Sequence, residues 1–289
     1  MVWQAFVQNW LRNRAQQAAT RAAFDALNQA ESSRQAGPAA VDVAVVAALG
    51  MELGGLIDRL PGAVTIQGSG FRAHFSDVRG RGLLLVESGV GRERAARAAT
   101  AVIEGHAPRW VISAGFAGGL APQVNRYDMV VGNSVANEAG ERLALDMKLD
   151  PAGQRGLHVG RLLTVDRIVR TPQEKGALAA RHDALAVDME TYAVAQVCRS
   201  ERTRFMAVRV ISDAAQDELP RDVERLIERK TMAGKLGAAA GAIVRRPNSV
   251  KDLWRLKEQA LIATDRLAGF LLSLIEQLPP PPSNQVPST

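Results

Sequence analysis

The 289-residue sequence predicts an α/β fold: a single-domain mixed, twisted sheet flanked by helices, with extra N- and C-terminal helices. Three observations carry this. From Val41 onward, short β-branched runs alternate with Ala-rich stretches of helical periodicity. Both ends show longer amphipathic patterns and no such runs. The composition, 47% hydrophobic and 23% charged, is that of a globular chain long enough to fill one sizeable core.

Taken in order, residues 1–40 read as an amphipathic extension and linker. Val2, Trp3, Phe6, Val7, Trp10 and Leu11 recur at helical spacing, with Arg12, Arg14 and Arg21 and no acid before Asp25. Three uses fit this segment: a helix docked on its own domain or a partner subunit, a membrane-surface helix, or a targeting peptide. Ser32 to Ala40, with Gly37 and Pro38, reads as the linker. Residues 41–246 form the predicted catalytic domain. Its strand candidates are Val41–Ala47, Leu83–Glu87, Trp110–Ala114, Met129–Ser134, Arg161–Val165, Ala184–Asp188 and Phe205–Ile211. Arg92–Gly105, Gln173–Arg181 and Thr191–Arg199 read as helices between them. After Pro220 the pattern is helical again, breaks at Arg246-Pro247-Asn248, and resumes from Val250 to about Leu278. Pro279 to Pro282 end that helix, and Ser283–Thr289 read as a disordered tail, so 247–289 is a helix with a Pro-rich end.

Composition narrows the function classes. Lys and Arg exceed Asp and Glu by 36 to 30, a formal charge of +6, but the basic residues are scattered and seldom flanked by aromatics. A solvated surface accounts for them, and no nucleic-acid partner is expected. The single cysteine, Cys198, allows no internal disulfide and suits a reducing, cytoplasmic compartment as a buried small residue. His74, His106, His158 and His182 fall in no zinc-like spacing, so neither a metal site nor a cofactor is expected. No run of roughly 18 apolar residues occurs, so no transmembrane helix is expected.

In open α/β sheets ligands bind beyond the carboxyl ends of the strands, which makes the residues just past each strand candidates. Here they are Glu52; Ser88, Gly89 and Gly91; Gly115, Gly118 and Gly119; Glu190; and Ser212 with Asp213. Three carboxylates and two glycine-rich turns are thus expected at one edge. Glycine turns let backbone N–H groups approach an oxygen-rich ligand, although the same turns also serve helix-to-sheet packing. A carboxylate past a strand can equally cap a helix.

The stretches VAVVAALGMELGGLIDRL, VESGVGRERAARAAT, VISAGFAGGLAP, AVDMETYAVAQVC and FMAVRVISDAAQ resemble, in the same order, the methylthioadenosine/S-adenosylhomocysteine nucleosidases of the nucleoside phosphorylase superfamily. The resemblance spans Val43 to Pro220 and implies cleavage of the bond between ribose and adenine. It makes Asp213 the general acid that protonates purine N7, Glu190 the carboxylate gripping the ribose hydroxyls, and Met189 the side chain beneath the sugar. Glu52 matches the residue that orients or deprotonates the attacking water. Ser88 and Gly89 match the nucleophile pocket, Ser212 the support of Asp213, and Ile168 and Val169 the frame of the base. Ile168 stands where many adenine-specific members have phenylalanine, giving apolar contact without a π face. A homodimer is also implied, with a pocket completed by the neighbouring subunit.

Chemistry asks for the same parts: cleavage passes through an oxocarbenium-like sugar, and the departing base needs a proton. A donor near neutral pH requires a carboxyl whose proton is held by desolvation or by a neighbouring carboxylate. Phosphorolysis would need a cationic clamp, yet Ala48 to Gly55 contains no Arg or Lys and carries Glu52, which favours water. Arg92 and Arg94, just past SGVG, could reach into the pocket, although residues on a helix surface are ordinarily solvated. Two alternatives remain. VRVISDAAQDELP, followed by RRP and a Leu- and Arg-rich helix, looks like the hopanoid-associated phosphorylases, which remove adenine from adenosylhopane. Peripheral membrane contact through the amphipathic ends would suit that reading. The other is a noncatalytic nucleoside-binding protein.

Overall fold

The sheet starts with β1 (Val41–Ala47), whose VDVAVVA run is buried along its whole length, as expected of a strand covered on both faces. The structure, a computed structural model, describes residues 40–60, 62–67, 71–145, 149, 151, 153–220 and 247–279. The readings made for residues 1–39, for the helical stretch between Pro220 and Arg246, and for the tail from Ser283 lie outside the described residues.

After β1 come α1 (Gly50–Ile57), β2 (Val64–Gln67), β3 (Arg72–Val78), β4 (Arg81–Glu87), α2 (Arg92–His106), β5 (Trp110–Gly119) and β6 (Met129–Asn137). Then follow β7 (Arg142–Ala144), β8 (Leu157–Thr164), α3 (Pro172–His182), β9 (Ala186–Asp188), α4 (Thr191–Ser200), β10 (Arg204–Asp213) and α5 (Pro247–Gln277). The strand order is β10-β6-β8-β9-β5-β1-β4-β3-β2, and β10 also pairs with β5. That extra pairing closes β5, β10, β6, β8 and β9 into a ring, from which β1, β4, β3 and β2 extend as an open wing. Parallel pairs β1–β4, β1–β5, β5–β10, β6–β8 and β8–β9 join antiparallel β2–β3, β3–β4, β5–β9, β6–β7 and β6–β10, so the sheet is mixed.

Two differences from the sequence reading bear on the site. SAGFAGG is not a turn: β5 runs through it to Gly119. Its glycines serve close approach, since a Cβ on Gly115 would lie 2.5 Å from Glu52 Oε1 and one on Gly118 would lie 3.2 Å from Asp213 Oδ2. Likewise Ser212 and Asp213 do not follow β10 but end it, with a register shift between Ile211 and Asp213 against β5. Such an irregularity re-aims the side chains beyond it.

The core has two main layers. Val43, Val45, Leu83, Leu85, Ile112 and Val208 pack on one side of the sheet against Leu53 and Leu56 of α1 and Leu267, Leu271 and Ile275 of α5. On the other side Ala44, Val46, Val86 and Val111 meet Ala95, Ala98, Ala99 and Val102 of α2, with Val194 and Cys198 of α4. Cys198 is fully buried there, and burial pushes its thiol up to about 12, which makes it an inert packing residue. Buried Asp42 pairs with Arg81 at 2.5 Å and Arg109 at 3.2 Å. Arg81 also donates to Leu278 O and Pro279 O, tying the carboxyl end of α5 to the sheet.

Candidate active site

The carboxyl ends of β1 and β4, the middle of β5 and of β10 and the start of α4 enclose a narrow cleft. Glu52, Ser88, Ser113, Gly115, Glu190 and Arg209 line it. Glu52 reaches it from the first turn of α1 and is 5% exposed. Its Oε2 accepts from Leu49 N at 2.8 Å and its Oε1 from Phe116 N at 2.8 Å, so the carboxylate also caps its helix and is fixed in direction. Burial raises its pKa, opposed by those backbone donors.

Glu190 stands at the N-cap of α4, and its Oε1 accepts from Gly91 N at 2.8 Å, joining the SGVG turn to the VDMET segment. Its pKa is pushed up to about 8, first by burial and then by the charge of Asp188. Ser88 is buried, with its hydroxyl in donating reach of Ala47 O (3.1 Å) and Gly89 O (3.0 Å). Gly89 has φ +82°, and a Cβ there would meet Arg94 Cδ at 3.0 Å. The aliphatic stem of Arg94 therefore lies along the turn, while Arg92 pairs with Asp166. Met189 and Ile168 are half-buried, but Val169 packs into the cluster with Leu120, Leu163, Leu178 and Val187, which gives its side chain a core role.

Asp213 does not line this cleft. Three carboxylates were expected at one cavity; the structure brings two together and sets the third farther along the same edge. Asp213 pairs with Gly118 on β5, three residues past Gly115, roughly 10 Å at strand rise. The carboxyl is 3% exposed. Ser212 Oγ donates to its Oδ1 at 2.6 Å, the support expected of Ser212. Its Oδ2 accepts from Lys175 Nζ at 2.5 Å. The neighbour is an ammonium; of the desolvation or neighbouring carboxylate that the sequence suggested, burial is present and the carboxylate is not. The loops past β8 and β10 are tied there: Leu219 N donates to Arg170 O, and Arg170 Nη2 to Leu219 O, both at 3.0 Å. Ile168 thus belongs to the segment joined to the one carrying Asp213.

Sequence reasoning missed three buried polar residues. Arg209 is 2% exposed, and all five of its N–H donors find acceptors: Nε on Asp188 Oδ2, Nη1 on Ser113 O and Val208 O, Nη2 on Ser113 Oγ and Thr191 Oγ1. Asp188 also accepts from Thr164 Oγ1, Glu190 N and Thr191 N, capping α4 and placing Glu190. An arginine inside the apolar run FMAVRVISD was the available signal for Arg209. Lys175 gave none, since a lysine in a helix is ordinarily solvated.

Residues 42–246 match the family described as the phosphorylase superfamily. A 5'-methylthioadenosine/S-adenosylhomocysteine nucleosidase of Pseudoalteromonas translucida is 28% identical over 213 residues, 65% of this chain and 91% of that one. One of a Marinomonas species is 30% identical over 174 residues, 52% and 75%. The solved structure of the Helicobacter pylori enzyme of that name, with butyl-thio-DADMe-Immucillin-A, aligns at a TM-score of 0.64 and 18% identity, covering 83% of this chain and 99% of that one. A Helicobacter pylori futalosine hydrolase mutant aligns at 0.63 and 17% identity, over 82% and 100%, so these two likenesses speak to the fold alone. The family match runs from β1 through the whole ringed sheet and the cleft at its edge, and on that ground the chain belongs to the phosphorylase superfamily.

Proposed function

We propose that the chain hydrolyses the N-glycosidic bond of an adenine nucleoside of the 5'-methylthioadenosine/S-adenosylhomocysteine type, releasing adenine. The observation that carries this is the cleft itself: Glu52 and Glu190 face it, and among its described lining residues the one cation, Arg209, has every donor committed. Among the described lining residues a phosphate would find no free cationic clamp, and Glu52 or Glu190, once ionised, stabilises an oxocarbenium-like sugar. The names of the curated relatives support the substrate class.

In this reading the C1'–N9 bond breaks and its electron pair moves to the base, where N7 takes a proton from Asp213. Water held by Glu52 bonds to C1' and gives its proton to that carboxylate. Glu190 accepts from the ribose hydroxyls, with Met189 beneath the sugar. Ser88 and Gly89 border the water, and Ile168 borders the base. The roughly 10 Å offset between Gly115 and Gly118 along β5 separates the water end from the base end.

The test is product analysis in phosphate-free buffer. Free adenine and a free pentose are expected from methylthioadenosine or S-adenosylhomocysteine, and Asp213→Asn lowers kcat/KM about 100-fold or more. Sugar 1-phosphate formed only when phosphate is added would overturn the hydrolytic reading. A second reading, a phosphorylase acting on lipid-linked adenosine at a membrane surface, is favoured by Leu261 and Ile262, 61% and 40% exposed on α5. Turnover of adenosylhopane with phosphate, and of neither small nucleoside, would select it. We also assign a homodimer, which light scattering checks as twice the chain mass.

A further inference from the structure

Lys175 has 0% exposure and is among the bulkiest fully buried side chains of the protein. It sits in the first turn of α3, which Thr171 caps by accepting from Glu174 N and Pro172 starts. Nζ carries three protons, and three acceptors surround it: Asp213 Oδ2 at 2.5 Å, Ala214 O at 2.7 Å and Asp217 O at 2.9 Å. Burying an ammonium is costly without a counter-ion, so a position needed only for packing is better served by an apolar side chain. This ammonium is spent on the carboxyl group that the nucleosidase reading makes the proton donor.

Among the described residues, Lys175 is the cation bonded directly to Asp213. Ser212 Oγ donates to the other oxygen, while Gly118 and Val187 form an apolar floor, with the Asp213 carboxyl and Val187 Cγ1 both within 4 Å of the Gly118 Cβ position. Asp217 has its own cation, Arg126 at 2.7 Å, and accepts from Ala214 N at 2.8 Å. Arg126 acts on Asp213 only through space.

We propose that Lys175 is the positioning residue of Asp213: its ammonium holds the carboxyl at the base end of the site and stabilises the negative charge left there when the proton departs. The proposal rests on the nucleosidase reading. In the step, the Asp213 O–H bond breaks, the N7–H bond forms, and the O–H electron pair stays on Asp213 beside Lys175. Lys175 keeps its three protons throughout. The ammonium stabilises the carboxylate that the transfer leaves behind.

The experiment is the pH profile of kcat for the full chain and for Lys175→Met and Lys175→Arg. In Lys175→Met the plateau falls about 10-fold or more and the alkaline limb moves up by about one pH unit or more, because the carboxyl of that variant keeps its proton longer and yields it less readily. Lys175→Arg retains the charge and keeps the limb near its original place. A folded Lys175→Met whose limb does not move overturns the proposal, since a merely structural lysine would lower the active fraction alone. If the unsubstituted protein turns over no nucleoside, the nucleosidase reading fails by itself. The Asp213 carboxyl titration, followed by 13C NMR with and without Lys175→Met, then decides: an unmoved titration refutes the control by Lys175. If Lys175→Met does not fold, the 15N resonance of the Lys175 ammonium is compared with that in Asp213→Asn, and an unchanged resonance overturns the pairing.

Discussion

At the scale of single residues, the site depends on where side chains are missing. Glu52 can stand over β5 only because Gly115 has none, and an added methyl would sit 2.5 Å from its Oε1. Gly115→Ala is therefore expected to displace the carboxylate and lower kcat by about 10-fold or more, with little change in KM, as loss of a water-orienting group should. Steady-state kinetics check this. Arg209 belongs to a different class of effect. Replacing it with Met leaves Asp188 as a buried charge without its cation, a loss of about 3–5 kcal/mol in denaturant unfolding. Glu52, Glu190 and Asp213 were legible in the sequence because each lies where a β-branched run ends, a position that binds ligands in α/β sheets. Arg209 and Lys175 were not, because their partners, Asp188 and Asp213, are 21 and 38 positions away in the chain. The register shift before Asp213, which periodicity does not reveal, is a further feature the sequence left unread.

At the scale of elements, buried parallel strands announced themselves and the antiparallel hairpin at the far edge of the wing did not. β1 was read to the residue because both of its faces are covered. The β2–β3 hairpin went unread: Val64 and Ile66 of the edge strand β2 are 59% and 50% exposed, and β3 buries the polar His74 and Ser76, so burial does not follow polarity in either strand. α1 was also missed, being eight residues long and rich in glycine, yet it carries Glu52. Its place is set from behind by α5. Thr264 Oγ1 donates to Met51 O at 2.8 Å, and a Cβ on Gly55 would lie 3.0 Å from Thr264 O, so the two helices are in near backbone contact. Leu267 and Leu271 of α5 are fully buried beside Leu53 and Leu56 of α1. Leu267→Ala is expected to cost about 2–5 kcal/mol in unfolding free energy. Because the support under α1 loosens, the catalytic rate should also fall, which kinetics well below the melting temperature would reveal. A stability loss with unchanged kcat would mean that α5 only packs.

For the molecule as a whole, the buried carboxylates of the cleft make the ligand-free form sensitive to pH. Glu190 has a folded pKa of about 8 against 4.5 as an ordinary side chain, and burial pushes Glu52 in the same direction. The folded state then binds protons that the unfolded chain has already lost. Unfolding free energy must therefore decrease as pH rises from about 4.5 toward 8, and level off once Glu190 has ionised in both states. This trend is opposite to that of a salt-bridged carboxylate, whose stabilisation is lost on acidification. Glu190→Gln removes one of the two contributors and is expected to reduce the slope, leaving the part owed to Glu52. Urea denaturation at a series of pH values between about 5 and 8 measures it. A slope that is unchanged in Glu190→Gln would mean that Glu190 is solvated in the free protein and that the cleft does not exclude water around its carboxyl group.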